Sequence, residues 1–292
     1  MRRRSVRSSA CAGAALAAWL CAGAAVAGEA PKRAVELVEL INEFRGRAHT
    51  CEGRKIEATG PLAPDERLTR VKLTRASGPL TDALRGAGYA AARAQVVALS
   101  GPRTPRAVMD MLVARYCRVV LSAELAEIGV SRDGDRWQIV LARPLLSSEL
   151  PGWREAGRRV LERVNAARAA PRTCGEKHFS AAPPVRWDAR LAQAALDHSA
   201  DMAKRNYFSH TGKDGSRVAD RASRAGYAWR RVGENIAAGQ GSVEQVVKGW
   251  LASPQHCANI MVPEFAEMGA AYVVNRASAA TIYWTQVFGT PK

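Results

Sequence analysis

The sequence carries one pattern twice, and both passes keep a cysteine at the same two places. At an offset of 123, Asn42 meets Asn165, Arg45 meets Arg168, Thr50 meets Thr173 and Cys51 meets Cys174. The same offset pairs Pro61, Asp65, Arg67 and Leu68 with Pro184, Asp188, Arg190 and Leu191. The offset becomes 138 where Ala87-Gly88-Tyr89-Ala90 meets Ala225-Gly226-Tyr227-Ala228. It becomes 140 where Cys117, Glu124, Glu127 and Gly129 meet Cys257, Glu264, Glu267 and Gly269. Blocks that stay in order with their cysteines registered read as two tandem copies of one module, over residues 33–147 and 155–290. A chain of 292 residues has room for two domains.

The register also pairs the cysteines. Each copy holds one early and one late Cys, so Cys51–Cys117 and Cys174–Cys257 is the pairing that keeps both bridges inside a copy. Cys11 and Cys21 fall in a different kind of segment. A basic start with Arg2, Arg3, Arg4 and Arg7 leads into an apolar stretch and ends in Ala25-Val26-Ala27. Residues 1–27 therefore read as a removable export signal rather than a membrane anchor, for which the apolar run is short. An even number of cysteines in an exported chain suits disulfides. No later stretch is long and apolar enough to span a membrane. The formal charge of +16 favours anionic surfaces such as membrane headgroups or anionic wall polymers, although the basic residues are scattered and interleaved with acids.

In the second copy, Val160, Leu161 and Val164 have helical spacing. Leu191, Ala195, His198 and Met202 make an apolar stripe on a helix over 188–205, with Asp188 placed to cap it. A third helix starts at Ser216, a fourth follows Ser242, and Ser253-Pro254 opens a short fifth. Residues 268–274 and 281–288 read as a strand pair. Helices first and strands later indicate an α+β fold.

Three polar residues stand out in that copy: His210, Glu234 and His256. Two imidazoles and a carboxylate from separate segments are the raw material of a metal or acid–base site. The internal alignment sharpens the signal. His210 lies in a fifteen-residue stretch that the first copy lacks, Glu234 meets Val96, and His256 falls where the first copy is two residues short. The first copy keeps its cysteines and loses the trio. Glu267 persists as Glu127 and reads as structural, and His198 on the apolar stripe reads as a packed core residue.

From about 158 to 290 the chain resembles the CAP superfamily (cysteine-rich secretory, antigen 5 and pathogenesis-related proteins) in its bacterial secreted form. The stretches that carry the resemblance are Val164-Asn165-Ala166-Ala167-Arg168, Phe208-Ser209-His210, Gly233-Glu234-Asn235-Ile236-Ala237, Trp250-Leu251-Ala252-Ser253-Pro254-Gln255-His256 and Tyr283-Trp284-Thr285-Gln286-Val287-Phe288. The resemblance implies an α–β–α sandwich with a central cleft, lined in the family by two His and two Glu that bind a divalent metal in some members. His210 and Glu234 match the first His and first Glu. The second pair departs from the pattern: Ser253 stands where eukaryotic members have Glu, and Tyr283 where they have His. His256 is the residue that bacterial members carry in this region. A four-ligand zinc site is thus incomplete, while His210, Glu234 and His256 would leave open positions on a metal such as Zn²⁺.

These observations point first to an exported, non-enzymatic protein that binds a partner, an apolar ligand or a metal in the His/Glu-lined cleft of its second copy. No serine or cysteine stands in a nucleophile context. The competing reading is a peptidase-like hydrolase that uses Glu234 and a His with water or metal. A third is attraction to lipid or an anionic envelope polymer through basic residues. Nothing indicates specific nucleic-acid recognition.

Overall fold

The computed structural model describes residues 22–73, 79–147 and 150–292. Most of the proposed export signal lies outside these residues. The front half contains α1 (Ala22–Arg45), β1 (His49–Cys51), β2 (Arg54–Ile56), β3 (Ala63–Pro64), α2 (Glu66–Thr69), α3 (Leu80–Gly86), β4 (Ala91–Ser100), α4 (Pro105–Val120), β5 (Glu127–Asp133) and β6 (Arg136–Pro144). The rear half contains α5 (Trp153–Arg168), β7 (Arg172–Cys174), β8 (Lys177–Phe179), β9 (Arg186–Trp187), α6 (Ala189–Arg205), α7 (Val218–Arg224), β10 (Trp229–Ala238), α8 (Val243–Leu251), α9 (Pro254–Ile260), β11 (Glu267–Val274) and β12 (Ile282–Pro291). No helix among the described residues is long and apolar enough to cross a membrane.

Capping side chains start the rear helices where the sequence places them. Asp188 accepts from the backbone N–H groups of Arg190 and Leu191, and Ser242 accepts from that of Gln245. The helix expected from Ser216 begins two residues later, at Val218. There the Asp220 carboxylate accepts from the Arg217 N–H, while Ser216 is drawn into a tight loop with Gly212.

Each half is built on a four-stranded mixed sheet. The order is β3-β5-β6-β4 in front and β9-β11-β12-β10 behind. The first strand of each sheet pairs parallel with its neighbour, and the remaining pairs are antiparallel. In the rear sheet, alternate residues serve opposite faces. Met268, Ala270, Trp284 and Phe288 join the core formed with α5, α8 and α9. Ala271, Val273, Tyr283 and Val287 pack on the opposite side with α6 and α7. The result is an α+β sandwich with helices on both faces. A glycine permits the closest approach: a Cβ on Gly269 would run into the backbone of Leu191 and Ala192 at the start of α6.

Buried polar contacts fix the loops in both halves. Arg45 donates to the carbonyls of Gly60, Val120, Ser122 and Leu125. Arg168 donates to those of Pro183, Ile260, Val262 and Phe265. Asn42 exchanges bonds with the Leu62 backbone as Asn165 does with Val185. The disulfides are Cys51–Cys117 and Cys174–Cys257, the pairs the register requires.

The halves meet where α8 lies over β3. Gln240 donates to the carbonyls of Pro61 and Ala126, Asn42 to that of Ala252, and Gln245 to Asp65. This junction covers Glu127, which is 1% exposed and accepts from the Tyr89 hydroxyl at 2.6 Å. Burial pushes Glu127 up to about 7. The Tyr89 bond, Arg67 and Lys248 pull it partly back, and Asp65 adds to the rise. Glu267 makes the corresponding bond to Tyr227 but lies outside the junction.

A carboxyl with a raised pKa in the folded state favours folding when it is protonated. Its contribution is complete below the unfolded value of 4.5 and is lost as pH rises through about 7. Over that window the protein should lose about 3 kcal/mol from this group. Glu127→Gln should remove that slope and be the more stable protein at pH 8, as measured by urea unfolding between pH 4.5 and 8. Equal slopes in the two proteins would show that Glu127 is not buried in this way.

Candidate functional site

The site forms around β10, an edge strand of the rear sheet. Glu234 sits opposite Val287 of β12 and shares the α6 face with Ile236. Asn235 sits opposite Gln286 and turns to the α9 face, where it donates to the Gln286 side chain at 3.0 Å and to the His256 carbonyl at 3.3 Å. The preceding glycine is required by space: a Cβ on Gly233 would press on Asn259 and Phe265.

His210 lies in the loop between α6 and α7, and buried side chains hold that loop. His198, 1% exposed, bonds the Ser209 carbonyl at 2.9 Å. Arg221 of α7 donates to the His210 carbonyl at 3.0 Å and to that of Ser216 at 2.8 Å. His210 Nδ1 then meets Glu234 Oε1 at 2.8 Å, and Arg221 Nη2 meets Glu234 Oε2 at 2.7 Å. Both carboxylate oxygens therefore have charged or polar donors. Burial would raise the Glu234 pKa. The His210 bond and the charges of His198, Arg221 and His210 outweigh it and hold the carboxyl below its usual range. An ionised carboxylate only accepts, so Nδ1 of His210 carries the proton that it donates to Glu234 Oε1, and Nε2 is the ring nitrogen left without a bond to the carboxylate. The His210 side chain is 57% exposed, whereas that of Glu234 is 2% exposed.

His256 approaches from the other face of the strand, on α9. Its Nδ1 bonds the Ser253 hydroxyl at 2.8 Å. Burial, with the nearby His210 second, pushes its pKa down to about 3, so the ring is neutral at physiological pH. Asn259 completes this side by donating to Asn235 at 3.0 Å.

A cavity of about 380 Å³ straddles the edge strand. His210, Glu234, Asn235, His256 and Asn259 line it, with Phe179 and Val262 as apolar walls. A second cavity, of about 880 Å³, adjoins it through shared Gln255 and Ala258 and runs between α1 of the front half and the β7–β8 hairpin. All three sequence candidates thus reach one cavity, but only His210 and Glu234 are bonded to each other. Among the described residues, no group of three or more His, Cys, Asp or Glu is placed to hold a metal ion. Both Glu234 oxygens are already engaged, Oε1 by the His210 ring and Oε2 by the Arg221 guanidinium.

Arg221 was not among the sequence candidates, since arginines in so basic a chain read as solvating. The signal was in the register. At the offset of 138, Arg221 meets Ala83 just as Glu234 meets Val96. Ala83 and Val96 pack against one apolar cluster in the front half. The front half therefore holds an apolar pair where the rear half holds a buried ion pair. His198 is the packed, hydrogen-bonded residue that its helix stripe implies, and it also lies 3.9 Å from Glu234.

Residues 161–288 match the model of the CAP family, described as the cysteine-rich secretory protein family. Two proteins of Bacillus subtilis are similar to the chain. One is the uncharacterized protein YkwD, 34% identical over 116 residues, which are 40% of this chain and 43% of that protein. The other is the uncharacterized membrane protein YlbC, 33% identical over 104 residues, which are 36% of this chain and 28% of that protein. The chain thus spans less than half the length of either relative. A solved extracellular protein with an SCP domain from Bacillus anthracis aligns with a TM-score of 0.40 and 21% identity, over 56% of this chain and 59% of that one.

Breaking a buried pair from one side leaves the other charge uncompensated. Glu234→Gln should cost about 3–5 kcal/mol of folding stability. Glu234→Val with Arg221→Met, which imitates the front half, should recover most of that loss. Urea unfolding of the single and double variants checks both. A double variant that loses the sum of the two single losses would show that the groups are not coupled.

Proposed function

We propose that this is an exported CAP-type binding protein whose rear half takes a polar segment of a partner protein in the cavity around β10. The carrying observation is the His210 ring, held by Glu234 and presented at the wall of a cavity otherwise rich in side-chain amides. Such a wall offers hydrogen bonds at fixed positions beside the apolar Phe179 and Val262, a mixture that suits a polypeptide segment with polar and apolar groups. Export through residues 1–27 agrees with the disulfides and with the cysteine-rich secretory family match. The division into a CAP domain at 155–290 and a degenerate copy at 33–147 is supported by the common strand order and by the matched Arg45 and Arg168 contacts.

A second reading has one specific observation behind it. A carboxylate that fixes the tautomer of a His leaves its other nitrogen able to accept a proton. In a hydrolase built this way, His210 is the base that activates water and Glu234 orients it. Of the two serines near the cavity, Ser253 is buried with its hydroxyl on His256 Nδ1, and the Ser209 hydroxyl accepts from the Thr211 N–H.

Dodecapeptides displayed on phage and selected on the immobilised full chain should bind the wild type and lose at least tenfold affinity with His210→Ala or Asn259→Ala. Selected peptides indifferent to both substitutions would reject the cavity as the binding site. Cleavage of those peptides by the wild type, abolished in His210→Ala, would replace binding with the hydrolase reading.

A further inference from the structure

Arg221 is 7% exposed, and its planar guanidinium divides its donors among acceptors of three residues on two segments. Nη1 donates to the Ser216 carbonyl, while Nη2 donates to the His210 carbonyl and to Glu234 Oε2. It touches both the loop that carries His210 and the carboxylate that orients the His210 ring. A divalent ion bound to Glu234 would share that carboxylate with a fixed positive charge. The guanidinium cannot relieve the conflict by losing a proton.

We propose that Arg221 is the built-in counter-cation of the cleft and a positioning residue for His210. The guanidinium holds the side of Glu234 that a divalent ion would need, and Glu234 then serves as an anchor rather than a ligand. The consequence is a fixed tautomer: Nδ1 donates to Glu234, and Nε2 is the acceptor that the neutral ring presents to the cavity. The group this nitrogen selects is a hydrogen-bond donor, an amide N–H or a hydroxyl, in preference to a carboxylate. The front half supports treating the two charges as one device, because Ala83 and Val96 stand at the corresponding positions. This inference rests on the binding reading for its ligand class, but its test needs no ligand.

The test uses the full disulfide-bonded chain, Zn²⁺ as the probe in calorimetry, and ¹⁵N-histidine spectra to read the tautomer. The wild type should show no Zn²⁺ binding that depends on Glu234, and His210 should carry its proton on Nδ1. Arg221→Met should gain at least tenfold in Zn²⁺ affinity, and Arg221→Met with Glu234→Gln should lose that gain. Arg221→Lys keeps the charge and should still exclude the ion. Should Arg221→Met fail to fold, the carboxyl ¹³C resonance of Glu234 in the wild type decides. A resonance unmoved by Zn²⁺ supports the inference. A resonance moved by Zn²⁺, or a wild-type affinity that falls tenfold in Glu234→Gln, overturns it. So does a folded Arg221→Met that gains nothing. None of these outcomes depends on whether a peptide binds, so the two proposals fail separately.

Discussion

A buried guanidinium in each half sets the path of the chain around it. Arg45 and Arg168 are each under 2% exposed, and burial lowers both pKa values, that of Arg45 to about 9. A charge so placed must have its donors met. The acceptors here are backbone carbonyls from two separate loops. In the rear half, one guanidinium joins the end of α5 to the loop before β9 and to the loop after α9. The Cys174–Cys257 bridge closes the same region covalently. Together they fix where α9 lies against β10, and therefore where His256 and Asn259 face Glu234 and His210.

Much of this was legible in the sequence, for identifiable reasons. Asp188 and Ser242 announce helix starts because capping chemistry is local, and Pro254 does so because its fixed φ suits the first helical position. The cysteine pairs followed from register alone. The strands β11 and β12 were visible in their small, β-branched and aromatic run. The strand that carries Glu234 was not read as one. Its buried run, 234–238, opens with Glu234 and Asn235 behind Gly233, and these look like loop chemistry until the buried ion pair and amide contacts on them are found. Arg221 was hidden for a related reason: a buried arginine and a solvated one have the same letter, and only its partner distinguishes them.

The two halves offer a comparison within one molecule. They keep the same strand order, the same Tyr–Glu bond and the same Asp–Arg cap. They differ where the rear half has His210, Arg221 and Glu234. A fold that stands equally with Ala83 and Val96 does not need an ion pair at that place for its own packing. Ionic groups in an interior are expensive, and replacing them with apolar ones is commonly neutral or favourable. Their presence in the rear half is best explained by what they orient at the cavity wall.

The joint between the halves has a chemical asymmetry. Gln240 reaches the carbonyls of Pro61 and Ala126, Asn42 reaches that of Ala252, and Arg143 reaches that of Ala279. In these contacts one side supplies a specific side chain and the other only its peptide group, whereas Gln245 and Asp65 meet through side chains on both sides. Every amino acid carries a carbonyl, so the accepting positions are free to drift in evolution without loosening the union. The donors are not, and a lineage that altered Gln240 would leave the union of its two lobes to Asn42, Arg143 and Gln245.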